Sequence, residues 1–314
     1  MNQDLAARLR RELAGAAIVM ICAALLPLMC RQTYWLGVII VAMYYALLGS
    51  AWNLAAGFTG QFSLAPATFG MLGAYIVGFL NLSGRTDFLA GILLAAIGAG
   101  LVGLLLGRMV FRLKGPYFAL VTLAFAEIAR LVISNAYDFT RGDLGLSVAG
   151  PSLSRLEFYY LFWAVLSLTL AGLYLLLRSP AGLYLQAIRG DEIAAAARGV
   201  RVIFWKTAAF GLSAALSGLA GGLYVSFIQL ASPEMGTVLQ TGYILSLTII
   251  GGLGTLIGPI LGGFVLQISS EALRAVGVAH MLVFSVVIIL IGRFFRTGGW
   301  GLILFIWNHR FSTK

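Results

Sequence analysis

Charged residues are scarce, making up 10% of the 314-residue chain. Soluble domains carry about 25%. Cysteine is nearly absent, with 2 residues, and this excludes a disulfide-stapled secreted domain. Hydrophobic residues reach 61%, which excludes a disordered chain and an ordinary cytosolic enzyme. The composition therefore predicts an all-α polytopic membrane protein, organised as a single transmembrane domain over residues 1–314.

Acidic residues are the scarcer charged class, with 11 Asp and Glu against 21 Lys and Arg and a net charge of +10. In a soluble protein this excess would suggest a nucleic-acid partner. No basic stripe is interleaved with surface aromatics here, and basic residues mark the cytoplasmic ends of membrane helices and attract anionic headgroups. We therefore expect a lipid bilayer around the chain and no nucleic acid.

Long apolar runs take up most of the sequence, and a bilayer-crossing helix needs about 20 mainly apolar residues. The first run ends in Cys-Arg-Gln rather than at a small-residue cleavage site, so a retained first helix is predicted. Near residue 255, Gly251-Gly252-Leu253-Gly254 and Pro259 mark either a tight turn or a broken helix. The ten predicted spans are 14–30, 35–56, 64–82, 88–110, 116–134, 158–177, 207–230, 238–256, 259–273 and 276–292.

The distribution of Lys and Arg orients these spans. With the N-terminus in the cytoplasm and ten crossings, most of the 21 basic residues fall inside, as the positive-inside rule requires. Both termini are therefore predicted to be cytoplasmic. Two connections are long: 135–157 on the outside and 178–206 on the inside.

The inner connection carries a helix signal of its own. Asp191-Glu192 precedes the alanine-rich run Ile193–Arg198, and Gly199 follows it. Acidic residues first and Arg before Gly is the order that the helix dipole favours. Such a short amphipathic helix either lies in a groove of another protein or rests on lipid headgroups, and the spacing alone leaves both interpretations open.

Polar residues at two places could line a path through the membrane. Residues 57–68 join two spans almost without a hydrophilic loop, which predicts either a broken entry to the third span or a turn that packs on neighbouring protein. Glu127 and Arg130 lie three residues apart in the fifth span, where an ion pair either lines a polar path or has a structural role near the outer interface. The candidate path residues are Asn53, Gln61, Ser63, Thr68 and Glu127.

Residues for catalysis are not assembled in any pattern. His280 and His309 are isolated and lack metal-ligand spacing, and no Ser/His/Asp set occurs. The chain also has no G-x-x-x-x-G-K-[ST] phosphate loop. We therefore expect no enzyme activity, no cofactor and no metal site, and any use of ATP would belong to a partner protein.

Several segments, in order, resemble one family. They cover most of residues 45–300, and they are Gly57-Phe-Thr-Gly-Gln-Phe-Ser-Leu, Leu113-Lys-Gly-Pro-Tyr-Phe-Ala-Leu, Thr140 to Leu146, Ala187-Ile-Arg-Gly-Asp-Glu-Ile-Ala-Ala, Phe210-Gly-Leu-Ser-Ala-Ala-Leu-Ser-Gly, Ser232-Pro-Glu and Ile250-Gly-Gly-Leu-Gly-Thr-Leu-Ile-Gly-Pro. Together they resemble the LivM-type branched-chain amino acid permeases of ABC transporters. Arg141-Gly-Asp departs from the more glycine-rich turn expected there.

This resemblance implies a set of partners and a role for the inner connection. The partners are a second homologous permease subunit, two cytoplasmic ABC ATPase subunits and a periplasmic or extracellular substrate-binding protein, at a bacterial inner membrane. The inner connection would be the loop that couples to the ATPases. Its candidate coupling residues are Gly182, Arg189, Asp191, Glu192, Ala195 and Gly199.

The leading functional hypothesis is accordingly a permease subunit of an ABC importer for branched-chain or similar small amphipathic amino acids. A permease of the same family for urea or short amides is an alternative. A stand-alone ion-coupled secondary transporter is another, although it would need carboxylates at mid-membrane, and only Glu127 and Glu271 qualify.

Overall fold

The computed structural model describes residues 3–29, 32–82, 87–111 and 116–273, and this part of the chain is almost entirely helical. The predicted span 276–292 lies outside the described residues. Twelve α-helices occur in the described part: α1 (Gln3–Met29), α2 (Thr33–Ala56), α3 (Pro66–Leu82), α4 (Phe88–Val110), α5 (Pro116–Asn135), α6 (Tyr137–Thr140), α7 (Arg155–Arg178), α8 (Pro180–Gly190), α9 (Glu192–Ala197), α10 (Val202–Ile228), α11 (Val238–Gly252) and α12 (Gly258–Leu273).

The helices confirm the polytopic membrane class. Among the described residues, α2, α4, α5, α7 and α10 are each long and apolar enough to cross a bilayer, while α3 and α11 are shorter apolar helices. The predicted span boundaries agree with helix ends to within a few residues, except that α1 begins well before residue 14. The total of ten crossings and the cytoplasmic placement of both termini stay predictions.

Helix α2 forms the centre of the bundle. It packs against α7, α10, α11 and α12, and its side chains are buried on every face over most of its length. Small residues make this possible. Gly49, for example, lies against Leu247 of α11 and Pro259 of α12, so that three helices meet closely at one level. The main core is continuous from α2 to α7, α10 and α12.

Helices α11 and α12 form a short antiparallel pair joined by the turn 253–257, so the glycine-rich sequence there makes a tight turn. Near the turn, Gly251 faces the backbone of Gly258, and Gly262 faces that of Leu247. At the other end the Tyr243 hydroxyl donates to Oε1 of Gln267 over 3.1 Å. Backbones in such close contact move as one unit, because interdigitated cores resist sliding.

The two ends of the bundle are built differently. At one end, α8, α9 and the turn 253–257 come together, and we call this the coupling end; the distribution of Lys and Arg predicts a cytoplasmic location for it. At the other end the predicted external connection folds into α6, a 3₁₀ turn (Gly142–Leu144) and strand β1 (Leu146–Ser147). Strand β1 pairs antiparallel with β2 (Leu230–Ala231), which follows α10.

Candidate functional site

The inner connection contains two helices where the sequence indicated one. The predicted helix at 192–198 is confirmed as α9, whose first turn is capped by Asp191: Oδ1 accepts the amides of Ile193 (2.8 Å) and Ala194 (3.1 Å). It ends at Gly199, which has a φ of +84°, a left-handed conformation that glycine adopts without strain.

Helix α8 was missed by the sequence analysis, although its signals are present. Ser179 is the N-cap, Pro180 occupies the first turn and Arg189 the last turn, which is a favourable order for a helix. Gly182 allows α8 to start directly under α7, because a Cβ at this position would meet the backbone of Leu177. Asp191 then separates α8 from α9.

Glu192 ties α9 to the long helix α10. Its carboxylate pairs with the ammonium of Lys206 at 2.5 Å, and Lys206 is only 6% exposed. A buried ammonium is costly without a partner, and Glu192, whose side chain is 44% exposed, provides one that links α9 to α10. Lys206 also lies 5.5 Å from the ring centroid of Phe111 at the end of α4.

Arg189 is exposed and lies against two turns that are far apart in the sequence. Its Cα lies 3.7 Å from the place that a Cβ of residue 60 would take, and its Nη1 lies directly over Gly254. Gly60 and Gly254 both have left-handed φ values, of +79° and +77°. The two glycines therefore provide both the turn shape and the space that the arginine occupies.

Asn53 holds the turn 253–257 with both ends of its amide. Nδ2 donates to the carbonyl of Thr255 (2.7 Å), and Oδ1 accepts the amide of Gly254 (2.8 Å). Gly57 lies against the hydrogen bond between Asn53 and Gly254, so any side chain at position 57 would displace this bond. Glu12 of α1, which is 1% exposed, accepts the amide of Leu256 at 2.9 Å.

These contacts bring four distant parts of the sequence to one place. We call the group formed by Glu12, Asn53, Gly57, Arg189 and the turn 253–257 the hub. The sequence analysis singled out Asn53 as a path residue and Arg189 as a coupling residue, and the structure brings the two to the same turn. It overlooked Glu12, whose only sequence signal is an acidic residue beside Arg10 and Arg11.

The segment 57–65 is a buried, non-helical entry to α3. Ser63 and Gln61 are 3% and 4% exposed, and the backbone is satisfied by local partners. The Trp52 indole donates to the Ser63 carbonyl (2.8 Å), and the Leu64 amide donates to Oγ1 of Thr122 in α5 (2.9 Å). Gln61 and Ser63 are thus enclosed by protein, while Phe62 between them is 43% exposed.

The other two candidate path residues differ in exposure. Thr68 is fully buried, and its Oγ1 has no hydrogen-bond partner. Glu127 forms the expected ion pair with Arg130, at 2.5 Å, and the two side chains are 40% and 25% exposed. Of the five candidates, Glu127 is therefore the one that reaches the surface of α5.

The outer surface of the coupling helices is partly apolar. Ile193 in α9 is 77% exposed, while Ala195 on the opposite side is buried. Among the described residues no group of three or more His, Cys, Asp or Glu could hold a metal ion.

The described part of the chain is a helical membrane bundle with two short helices at one end, and sequence comparison identifies its family. Residues 34–292 match the family described as "Branched-chain amino acid transport system / permease component". The chain belongs to this family. No solved structure matches it.

Curated relatives agree with this assignment. The chain is 31% identical over 280 residues to the high-affinity branched-chain amino acid transport permease protein LivM of Escherichia coli, covering 80% of this chain and 66% of that protein. It thus spans about two thirds of the length of that relative. It is 27% identical to the probable permease protein LivH of Methanocaldococcus jannaschii, over 75% of this chain and 78% of that protein. A 136-residue stretch is 29% identical to the ribose import permease protein RbsC of Escherichia coli.

Proposed function

We propose that the chain is a permease subunit of an ABC importer that carries branched-chain or similar small amphipathic amino acids across a bacterial inner membrane. The observation that carries this proposal is the coupling end. Helices α8 and α9 form a structured surface there, and Arg189 and Glu192 join that surface to the interior helices. The family and the names of LivM and LivH supply the substrate class.

The proposed partners are a second homologous permease subunit, two cytoplasmic ABC ATPase subunits and an external substrate-binding protein. The exposed Ile193 supports docking of an ATPase, because an isolated apolar side chain on a short helix fits a groove in a partner protein. The Glu127–Arg130 pair supports a polar path beside α5. Ionisable groups within membrane segments almost always face a cavity or protein rather than lipid.

The assembled transporter tests this proposal. The chain is co-expressed with its candidate partners, reconstituted in proteoliposomes with ATP on the side of the ATPases, and supplied with labelled leucine and the binding protein. Uptake that requires both ATP and the binding protein is the expected result. Competition by urea or acetamide would favour the alternative substrate class. Uptake by this chain alone under an ion gradient would contradict the proposal and favour a secondary transporter.

A substitution at Ile193 tests the docking surface separately. Ile193→Lys places a charge where an apolar anchor is proposed, while the exposed position leaves the fold of the chain unchanged. We expect co-purification of the ATPases to fall by at least about tenfold, since a buried apolar anchor is worth about 1.5–3 kcal/mol, which is a factor of about 10 to 150 in affinity. Ile193→Val is the matched control and should retain the complex. Equal recovery of ATPase with Ile193→Lys would contradict docking at α9.

A further inference from the structure

We infer that the turn 253–257 receives the movement of the coupling helices through Arg189, and that Glu12 of α1 anchors this turn to the first helix. The inference rests on the proposed function, because it names the residues through which the same coupling surface acts. It assigns roles that the family assignment does not contain: the family match begins at residue 34, so Glu12 lies outside it.

Arg189 lies against two turns at the coupling end. The exposed side chain lies with its aliphatic part next to Gly60 and its guanidinium over Gly254. The guanidinium that lies over Gly254 belongs to an exposed side chain, and a residue that joins α8 to an internal turn in this way is a positioning residue. Movement of α8 must therefore act on both turns or break these contacts.

Two helices, α1 and α2, hold the turn 253–257 by hydrogen bonds. Asn53 binds it from α2 through two hydrogen bonds, and Glu12 binds it from α1 through one. A carboxylate that is 1% exposed needs compensating charge. The Leu256 amide donates a hydrogen bond to it, and this amide precedes the positive N-terminal end of α12.

The turn 253–257 is connected to two closely packed helices. It joins α11 and α12, whose backbones touch near the turn and whose side chains bond at the far end. Because the pair is closely packed along its length, a displacement of the turn is carried to both helices together. Arg189 thus links α8 to a two-helix unit, whereas Glu12 and Asn53 link that unit to α1 and α2.

The experiment follows the turn directly in the complex with the ATPase subunits. Cys22 and Cys30 are first replaced by Ala, so that a new cysteine can be labelled alone. Leu253, which is partly exposed, is then changed by Leu253→Cys and labelled with an environment-sensitive fluorophore. ATP should change the fluorescence. In Arg189→Met, which keeps the length of the aliphatic stem, we expect ATP hydrolysis to persist, the fluorescence change to disappear, and the solute imported per ATP to fall by about tenfold.

Matched variants separate transmission from general damage. Arg108→Met removes an exposed arginine at the same end and should leave the fluorescence change and the import ratio as in the wild type. Glu12→Gln keeps an acceptor for the Leu256 amide and should retain most coupling. Glu12→Met removes the acceptor and should lower the import ratio. A normal fluorescence change and import ratio in Arg189→Met would overturn the inference.

These outcomes are distinct from failure of the proposed function. If the wild-type complex shows no ATP-driven import, the proposed function itself is wrong. If the wild type imports normally and Arg189→Met is fully coupled, only the role of Arg189 and the turn is wrong. If Arg189→Met and Arg108→Met lose ATP hydrolysis equally, the defect is in assembly and the transmission role is rejected.

Discussion

Helices α2 and α5 are both apolar enough to cross a bilayer, yet they occupy opposite environments. In the most apolar stretch of α2, 78% of the residues are buried within the chain, whereas in that of α5 only 22% are buried. In water this contrast would be unexpected, because apolar surface drives burial. In lipid an exposed Leu costs nothing, so hydropathy identifies a span without locating it in the bundle.

The residue types explain the difference better than hydropathy does. Helix α2 carries small residues such as Gly49 and Ser50 on the faces that meet other helices, and it carries Asn53 where the hub forms. Helix α5 presents bulky side chains, including Leu120, Ile128 and Val132, to its surroundings. Small residues permit close helix contact, while bulky apolar residues fill space against lipid or a partner subunit.

The largest expected effect of this contrast comes from Asn53 of α2. Asn53→Ala removes two buried hydrogen bonds, one from the amide of Gly254 and one to the carbonyl of Thr255. We expect a loss of about 3–4 kcal/mol in the free energy of unfolding, measured by denaturant titration in mixed micelles. Thr122→Val in α5 removes the bond from the Leu64 amide and a bond to the Ala119 carbonyl of the same helix, and it should cost about 1–2 kcal/mol because only the Leu64 bond joins separate segments. An equal cost at both positions would show that the hub is not a special point of stability.

Much of this architecture could be predicted from the sequence, but the hub could not. The span 88–110 coincides with α4 because a long apolar run is a local property, and α9 was found from its acidic start and its terminal glycine. The contacts of Asn53 with residues 254 and 255 depend on packing between segments about 200 positions apart. No periodic pattern in the sequence encodes such a pairing.

Close packing at Gly49 should give the next largest effect. A Cβ at this position would lie 2.6 Å from Cδ1 of Leu247 and 3.2 Å from Cβ of Pro259. Gly49→Val should therefore destabilise the protein by about 1–3 kcal/mol through overpacking, visible as a lower midpoint in the same titration. Gly172→Val in α7 is the matched control, because no atom lies within 4 Å of its added Cβ. A midpoint unchanged by Gly49→Val would mean that α2 and the α11–α12 pair separate easily.

Glu127 of α5 should affect transport more than stability. It is partly exposed and paired with Arg130, so Glu127→Gln should change the free energy of unfolding by less than about 1 kcal/mol. If the pair faces the proposed path, uptake in proteoliposomes should fall while ATP hydrolysis continues. Wild-type uptake by Glu127→Gln would favour a structural role for the pair near the outer interface.

The smallest effect is expected at Ile128, one residue further along α5 and 61% exposed. Ile128→Ala should alter stability by no more than about 0.5 kcal/mol, because this side chain has few neighbours within the chain. Its surroundings can be identified with Ile128→Trp and brominated lipids, which quench tryptophan fluorescence on contact. The six native tryptophans are corrected for with the unsubstituted protein. Strong quenching in the isolated chain that disappears in the assembled transporter would place a second permease subunit against α5. Quenching that persists after assembly would assign this face to lipid and move the subunit contact to another helix.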